Sequence, residues 1–175
     1  MVADFLQQDL VAELKRLFDG AEFRSPKGER EKLSVFSQAL PIPESADPPE
    51  GDLAPELIEE GLGLSDAGGA EPFPYIIVRL ETGAITQIDG EQTIKTTLIF
   101  GAYDNSLENQ GHKDVLHMIQ KIYERFAKNA ILAAKYECVM PINWALQDEE
   151  SYPYYFGGME LNFNTIPLER EDKYT

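Results

Sequence analysis

The residues of this 175-residue chain best suited to chemistry are two histidines, one cysteine and a short run of carboxylates. His112 and His117 are five residues apart, which on a helix is about 500° of rotation, so they point to different faces and cannot chelate one metal ion. Cys138 lies in an alternating apolar run, where a buried structural thiol is expected. The acidic run 148–150 has no neighbouring base or metal ligand, which favours a solvated loop.

Nucleotide-binding and catalytic motifs are missing from the sequence. It contains no P-loop, no H-E-x-x-H, no G-x-S-x-G, no C-x-x-C and no EF-hand loop. The glycines of 61–69 neither follow a strand nor open a helix, as a phosphate-binding loop requires. Asp104 and Asn105 fall where a strand must turn toward a helix, and Asx residues favour such turns. We therefore predict no catalytic, cofactor-binding or metal-binding residues, and a protein that works by contact rather than as an enzyme.

The charge of the chain limits its partners. A formal net charge of −16 argues against a nucleic-acid-binding surface, because phosphate neutralisation needs clustered Lys and Arg. Residues 41–72 hold nine acidic residues, no Lys or Arg, and six of the eleven prolines, which predicts a long acidic loop. There is neither an apolar run of about 18 residues for a membrane span nor a signal-peptide pattern at the N-terminus, so a soluble, cytoplasmic protein is expected.

Hydrophobic periodicity predicts the elements that position these residues. An amphipathic helix is expected over 4–18 and a longer one over 111–134; strands are expected over 32–40, 73–80, 93–101, 136–142 and 159–166. The Asp89-Gly90 turn signal before the third strand predicts an antiparallel hairpin. The fold class is therefore α+β: a mostly antiparallel sheet of four to five strands with two main helices on one face. One domain spans 1–175, with the acidic insertion at about 41–72 and a flexible C-terminal tail at 167–175.

Five aromatic residues cluster in what the sequence predicts to be a connection between the last two strands. They are Trp144, Tyr152, Tyr154, Tyr155 and Phe156. Tyr and Trp are enriched at interface hot spots, so this segment is either the cover of the sheet's own end or a docking surface.

Four segments resemble the tail terminator (tail completion) proteins of tailed bacteriophages and prophages. They are FPYIIVRL at 73–80, LIFGAYD at 98–104, the helix start at 111–119 and PYYFGGMELNF at 153–163. The resemblance implies a structural subunit that forms a ring, typically hexameric, which caps the tail tube, ends tail polymerisation and provides the head–tail joining surface. The implied partners are further copies of the chain, the tail tube protein and a connector or neck protein. The implied location is the virion tail or neck, assembled in the bacterial host cytoplasm, with no cofactor and no membrane.

A ring of identical subunits needs two different surfaces that match each other. The predicted interface therefore combines the aromatic segment with the hairpin residues Ile85, Ile88 and Asp89. The predicted channel or rim is lined by acidic residues of the insertion, past which DNA slides without specific binding. These residues are Glu50, Asp52, Glu56, Glu59 and Glu60.

Two other hypotheses stay open at the level of the sequence. One is a monomeric protein-binding adaptor that docks a single partner through its aromatic segment. The other is a hydrolase with a carboxylate site at Asp104 or Glu149.

Overall fold

The computed structural model describes residues 2–42, 72–87 and 89–167, and confirms the α+β class. Residues 2–40 and 72–167 belong to one compact unit. Its elements are α1 (Val2–Leu17), β1 (Glu22–Arg24), β2 (Arg30–Lys32), β3 (Ser34–Ser37), β4 (Tyr75–Ile85), β5 (Gln92–Tyr103), α2 (His112–Lys128), β6 (Ile131–Leu132), β7 (Tyr136–Leu146) and β8 (Tyr154–Thr165).

Six of the described strands form one mixed sheet in the order β3-β4-β5-β8-β7-β6. Only β3 and β4 are parallel, and every other neighbouring pair is antiparallel. Five of these strands correspond to predicted ones, and the sixth, β6, is a two-residue strand beside the start of β7. Strands β1 and β2 form a separate small hairpin.

Helix α1 packs on the sheet through a stripe of leucines. Leu6, Leu10 and Leu14 recur every four residues and are fully buried, so each contributes about 1.5–3 kcal/mol by leaving water. The buried amide of Gln7 lies on the same side, where its Nε2 donates to the carbonyl of Val78 in β4 at 2.8 Å. The helix thus reaches the sheet through apolar packing and one polar contact.

Helix α2 covers the neighbouring part of the same sheet face, and its predicted end at 134 is wrong. Its buried stripe contains Val115, Met118, Ile119, Ile122 and Phe126. The helix stops at Lys128 because Asn129 takes an extended backbone (φ −148°, ψ 104°). The Asn129 side-chain oxygen then accepts the N–H of Ile131 at 3.0 Å, a local bond that competes with helical pairing.

A second apolar cluster lies on the face of the sheet opposite the helices. Phe73, Tyr75 and Ile77 are its buried members, and Phe36, Leu40, Ile99, Tyr103, Tyr154 and Phe156 pack against them. All four residues of 75–78 are buried, so this part of β4 is covered on both faces.

Candidate interaction surfaces

The sequence predicted that the aromatic segment is a connection between strands. In the structure, most of its aromatic residues lie in two paired strands. Trp144 lies in β7, and 154–156 begin β8, so that only 147–153 connect them. Pro153 lies at the end of this connection, just before β8. The pair Gly157-Gly158 favours a loop when taken alone, but it lies inside β8, which has a hydrogen-bonded neighbour on each side, β5 and β7.

Tyr154 and Phe156, two of the predicted interface residues, belong to an aromatic cluster within the chain. The Phe73 ring lies 4.8 Å from that of Tyr154 and 5.8 Å from that of Phe156, between ring centroids. It also contacts Tyr75 at 5.0 Å, and burial raises the pKa of Tyr75 to about 12, which keeps this phenol neutral. These rings cover the sheet itself, which is the first of the two alternatives predicted for the aromatic segment.

Tyr155 and Tyr152 hold the chain between β5 and α2. The Tyr155 hydroxyl donates to the side chain of Asn109, and its ring occupies the space in which a Cβ on Gly111 would lie. Tyr152 is 47% exposed, and its hydroxyl donates to the carbonyl of Asn105 at 2.8 Å. Tyr155 is therefore a structural residue, whereas about half of Tyr152 is exposed to contact with another molecule.

Trp144 remains a strong candidate for an intermolecular contact. Its side chain is 55% exposed, on the helix-bearing side of β7. Together with α2 it forms an apolar groove of about 400 Å³, lined by Leu116, Ile119, Gln120, Tyr123, Ile142 and Trp144. The helical half of this groove was not predicted from the sequence. A signal was present, because Leu116 and Tyr123 are apolar residues seven apart outside the buried stripe of α2.

The predicted hairpin is confirmed by the pairing of β4 with β5, which runs from Tyr75↔Gly101 to Ile85↔Gln92. Residues 81–85 at its distal part are exposed, and Ile85 is 61% exposed there. Asp89 is exposed in the turn with φ 58°, whereas Ile88 lies outside the described residues. The hairpin therefore presents an uncharged strand end, 82–85, next to an acidic turn.

The predicted acidic channel residues cannot be placed. Glu50, Asp52, Glu56, Glu59 and Glu60 lie outside the described residues, and so does the tail from 168 onward. The carboxylates of 148–150 are exposed in the β7–β8 connection.

Asp104 shapes the turn after β5, as predicted. Its Oδ1 accepts the N–H of Ser106 at 2.9 Å and pairs with the Arg24 guanidinium of β1. Asp114 lies nearby in α2, where burial, followed by the negative charge of Asp104, raises its pKa. Within 2–42, 72–87 and 89–167, no group of three or more His, Cys, Asp or Glu side chains is arranged to hold a metal ion.

Comparison with models of protein families and with curated proteins found no match for this chain. Neither helix in the described part of the chain is both long and apolar enough to cross a membrane. The described residues define an α+β protein with two uncharged, exposed strand segments, 82–85 in β4 and 140–146 in β7.

Proposed function

We propose that this chain is a phage structural protein whose copies form a hexameric ring that caps the tail tube and ends tail polymerisation. The ring also provides the surface for head–tail joining. The observation that carries the proposal is a pair of dissimilar exposed surfaces toward opposite edges of one sheet. They are the hairpin end with Ile85 and the groove with Trp144. Head-to-tail contacts in a ring require two such surfaces.

The charge distribution supports self-association through these two surfaces. A chain with a net charge of −16 repels its own copies, so its contact surfaces should be those without acidic residues. Segments 82–85 and 140–146 contain no charged residue. Their exposed side chains include Ile85, Met140 and Trp144, all more than half exposed.

The ion pairs of Lys95 in the sheet favour passage of DNA without binding. Lys95, on the face opposite the helices, lies 2.8 Å from a carboxylate oxygen of Glu160 and 3.2 Å from one of Glu81. A lysine held between two carboxylates offers little attraction to phosphate. In this proposal the acidic residues of the insertion line the channel or its rim, and a tail tube protein and a connector protein contact the two ends of the ring.

The adaptor hypothesis has less support from the structure. Tyr154, Tyr155 and Phe156 contact other parts of the same chain, which leaves Tyr152 and Trp144 as the exposed rings of the aromatic segment. These two rings, one in β7 and the other in the β7–β8 connection, make a smaller docking surface than the five rings that the sequence predicted.

Deletion of the gene from the phage or prophage that encodes it tests the proposal. Electron microscopy of the resulting particles should show overlong or headless tails, and the wild-type gene supplied in trans should restore normal particles. Size-exclusion chromatography with light scattering, with and without tail tubes, should show a ring. Normal virions from the deletion strain would overturn the proposed role, and a strict monomer that ignores tubes would favour the adaptor.

A further inference from the structure

Part of β7 has an open edge within the described structure. Strand β6 covers β7 only at its start, through Leu132↔Tyr136 and a hydrogen bond from the N–H of Cys138 to the carbonyl of Ala130 at 2.8 Å. Farther along, the N–H of Gln147 donates to Phe156 of β8 at 3.0 Å. Since pairing alternates every second residue in an antiparallel ladder, the N–H and C=O groups of Trp144 and Leu146 face away from β8.

Among the described residues, the distal part of β4 also has an open edge, toward the opposite edge of the sheet from β7. The side chain of Gln38 pairs with the backbone of Leu80, so the groups of Leu80 face away from β5. The register then shifts at Glu81, and Gly83↔Ile94 and Ile85↔Gln92 follow. By the same alternation, the N–H and C=O groups of Gly83 and Ile85 face away from β5.

The two edges match in side chains as well as in backbone. Trp144 is opposite the buried Met159, so it lies on the helix-bearing side of the sheet. Ile85 is opposite Gln92, which shares its face of β5 with the buried Ile94, and so lies on that same side. If the two edges met in one continuous sheet, Ile85 of one copy would approach the groove beside Trp144 of the next.

We propose that copies of this chain join edge to edge, with the distal end of β4 in one copy added to the β7 edge of the next. Because β4 and β7 run in opposite directions within the sheet, the new pair is antiparallel. Backbone hydrogen bonds supply the contact, and Ile85 fills the apolar groove formed by β7 and α2. The inference rests on the proposed ring and names the contact that builds it.

The positions of the two edges also fix the tilt of the strands. The open part of β4 is level with 92–94 of β5, whereas Trp144 is level with Leu98. The offset is about five residues, or about 17 Å along the strand. Four strands, β4, β5, β8 and β7, repeat in each copy and span about 19 Å across the sheet. The strands must therefore tilt by about 40° from the ring axis, within the range found in closed barrels.

Chemical cross-linking between two variants, each with one introduced cysteine in addition to the buried Cys138, tests this contact. Ile85→Cys and Trp144→Cys proteins are purified separately, mixed in equal amounts and treated with a short bismaleimide. The mixture should give a covalent dimer at least about tenfold more abundant than either variant alone, because only the mixture brings the two edges together. Ala145→Cys, at the next position of β7, is a second reporter that leaves the groove intact.

Leu107→Cys mixed with Trp144→Cys is the matched control, since Leu107 is 96% exposed but belongs to neither edge. A dimer from Trp144→Cys alone would overturn the inference in favour of a two-fold contact between β7 edges. So would the absence of a cross-link in the mixture, whether light scattering shows a ring or a monomer. Particle imaging separates the two proposals. Overlong tails in the deletion strain without a cross-link in the mixture would support the tail role and overturn the edge contact. Normal virions with a cross-link would support the edge contact and overturn the tail role.

Discussion

Gln38 pairs with Leu80 as if it were one more residue of β3. Its side-chain oxygen accepts the N–H of Leu80 at 3.1 Å, and its amide nitrogen donates to the Leu80 carbonyl at 3.2 Å. The same oxygen accepts a hydrogen bond from Nε2 of Gln7 at 3.0 Å. Two amide side chains therefore join α1, the end of β3 and β4, at the point where the open edge of β4 begins.

Replacing Gln38 with Ala should lower the free energy of unfolding by about 1–2 kcal/mol, because the Leu80 backbone and the Gln7 amide lose hydrogen-bond partners. The positive φ of 67° at this position is shared by both proteins and cancels. Urea unfolding followed by circular dichroism measures the change. Gln120→Ala is the control, since that amide donates to Glu124 on the exposed side of α2. Equal stability losses in the two variants would contradict the role of Gln38.

Two glycines on the same face of neighbouring strands should respond differently to an added methyl group. A Cβ on Gly101 would overlap the Tyr75 ring, 2.9 Å from its hydroxyl oxygen, whereas the nearest atom to a Cβ on Gly158 is 3.8 Å away. Gly101→Ala should therefore destabilise the protein by about 1–3 kcal/mol, as overpacking does. Thermal unfolding of both variants checks this, and Gly158→Ala should differ little from wild type. The prediction fails if Gly101→Ala is as stable as Gly158→Ala.

The parts of the fold that follow local periodicity were predictable from the sequence. Leucines four residues apart identified α1, and the Asp89-Gly90 turn between apolar runs identified the β4–β5 hairpin. The end of α2 was not predictable in this way. It depends on the side-chain bond of Asn129 and on the pairing of 131–132 with β7, neither of which affects apolar spacing.

The candidate surface was predicted in part. Trp144 and Ile85 are exposed as an interface requires, but residue type alone also selected Tyr154 and Phe156. Their partner Phe73 is about 80 residues away in the chain, so no local pattern reveals that these rings pack together. The groove beside Trp144 likewise combines β7 with α2, and it becomes visible only when the two elements pack.

The ion pairs of Glu13, with Arg16 of α1 and Arg125 of α2, should make stability depend on pH. Hydrogen bonds from Arg16, at 2.7 and 3.0 Å, are the largest cause that lowers the pKa of Glu13; burial opposes them, and Arg125 of α2 adds to them. A lowered pKa contributes stability above the ordinary carboxyl value of about 4.3, which is lost as the pH falls through the folded-state pKa.

Glu13→Gln should therefore unfold more easily than wild type at pH 7, by about 1–2 kcal/mol. The difference should shrink as the pH falls below the ordinary carboxyl value of about 4.3 and through the lowered pKa of folded Glu13. Urea unfolding at a series of pH values measures it, with the exposed Glu108→Gln as the matched control. A difference that stays constant from pH 7 to pH 3 would show that the loss is steric rather than ionic.

Cys138 should be unreactive in the folded protein. It is 5% exposed in β7, and burial raises the pKa of its thiol to about 11, against a smaller opposite effect of Arg125. Each pKa unit lowers the thiolate fraction tenfold, so labelling by a thiol reagent at pH 8 should be slower by about 100-fold or more than in urea. Absorbance of the released reagent follows both rates. Fast labelling of the native protein would mean that β7 opens readily along the side that β6 covers, and the cross-linking variants would then need a Cys138→Ala background.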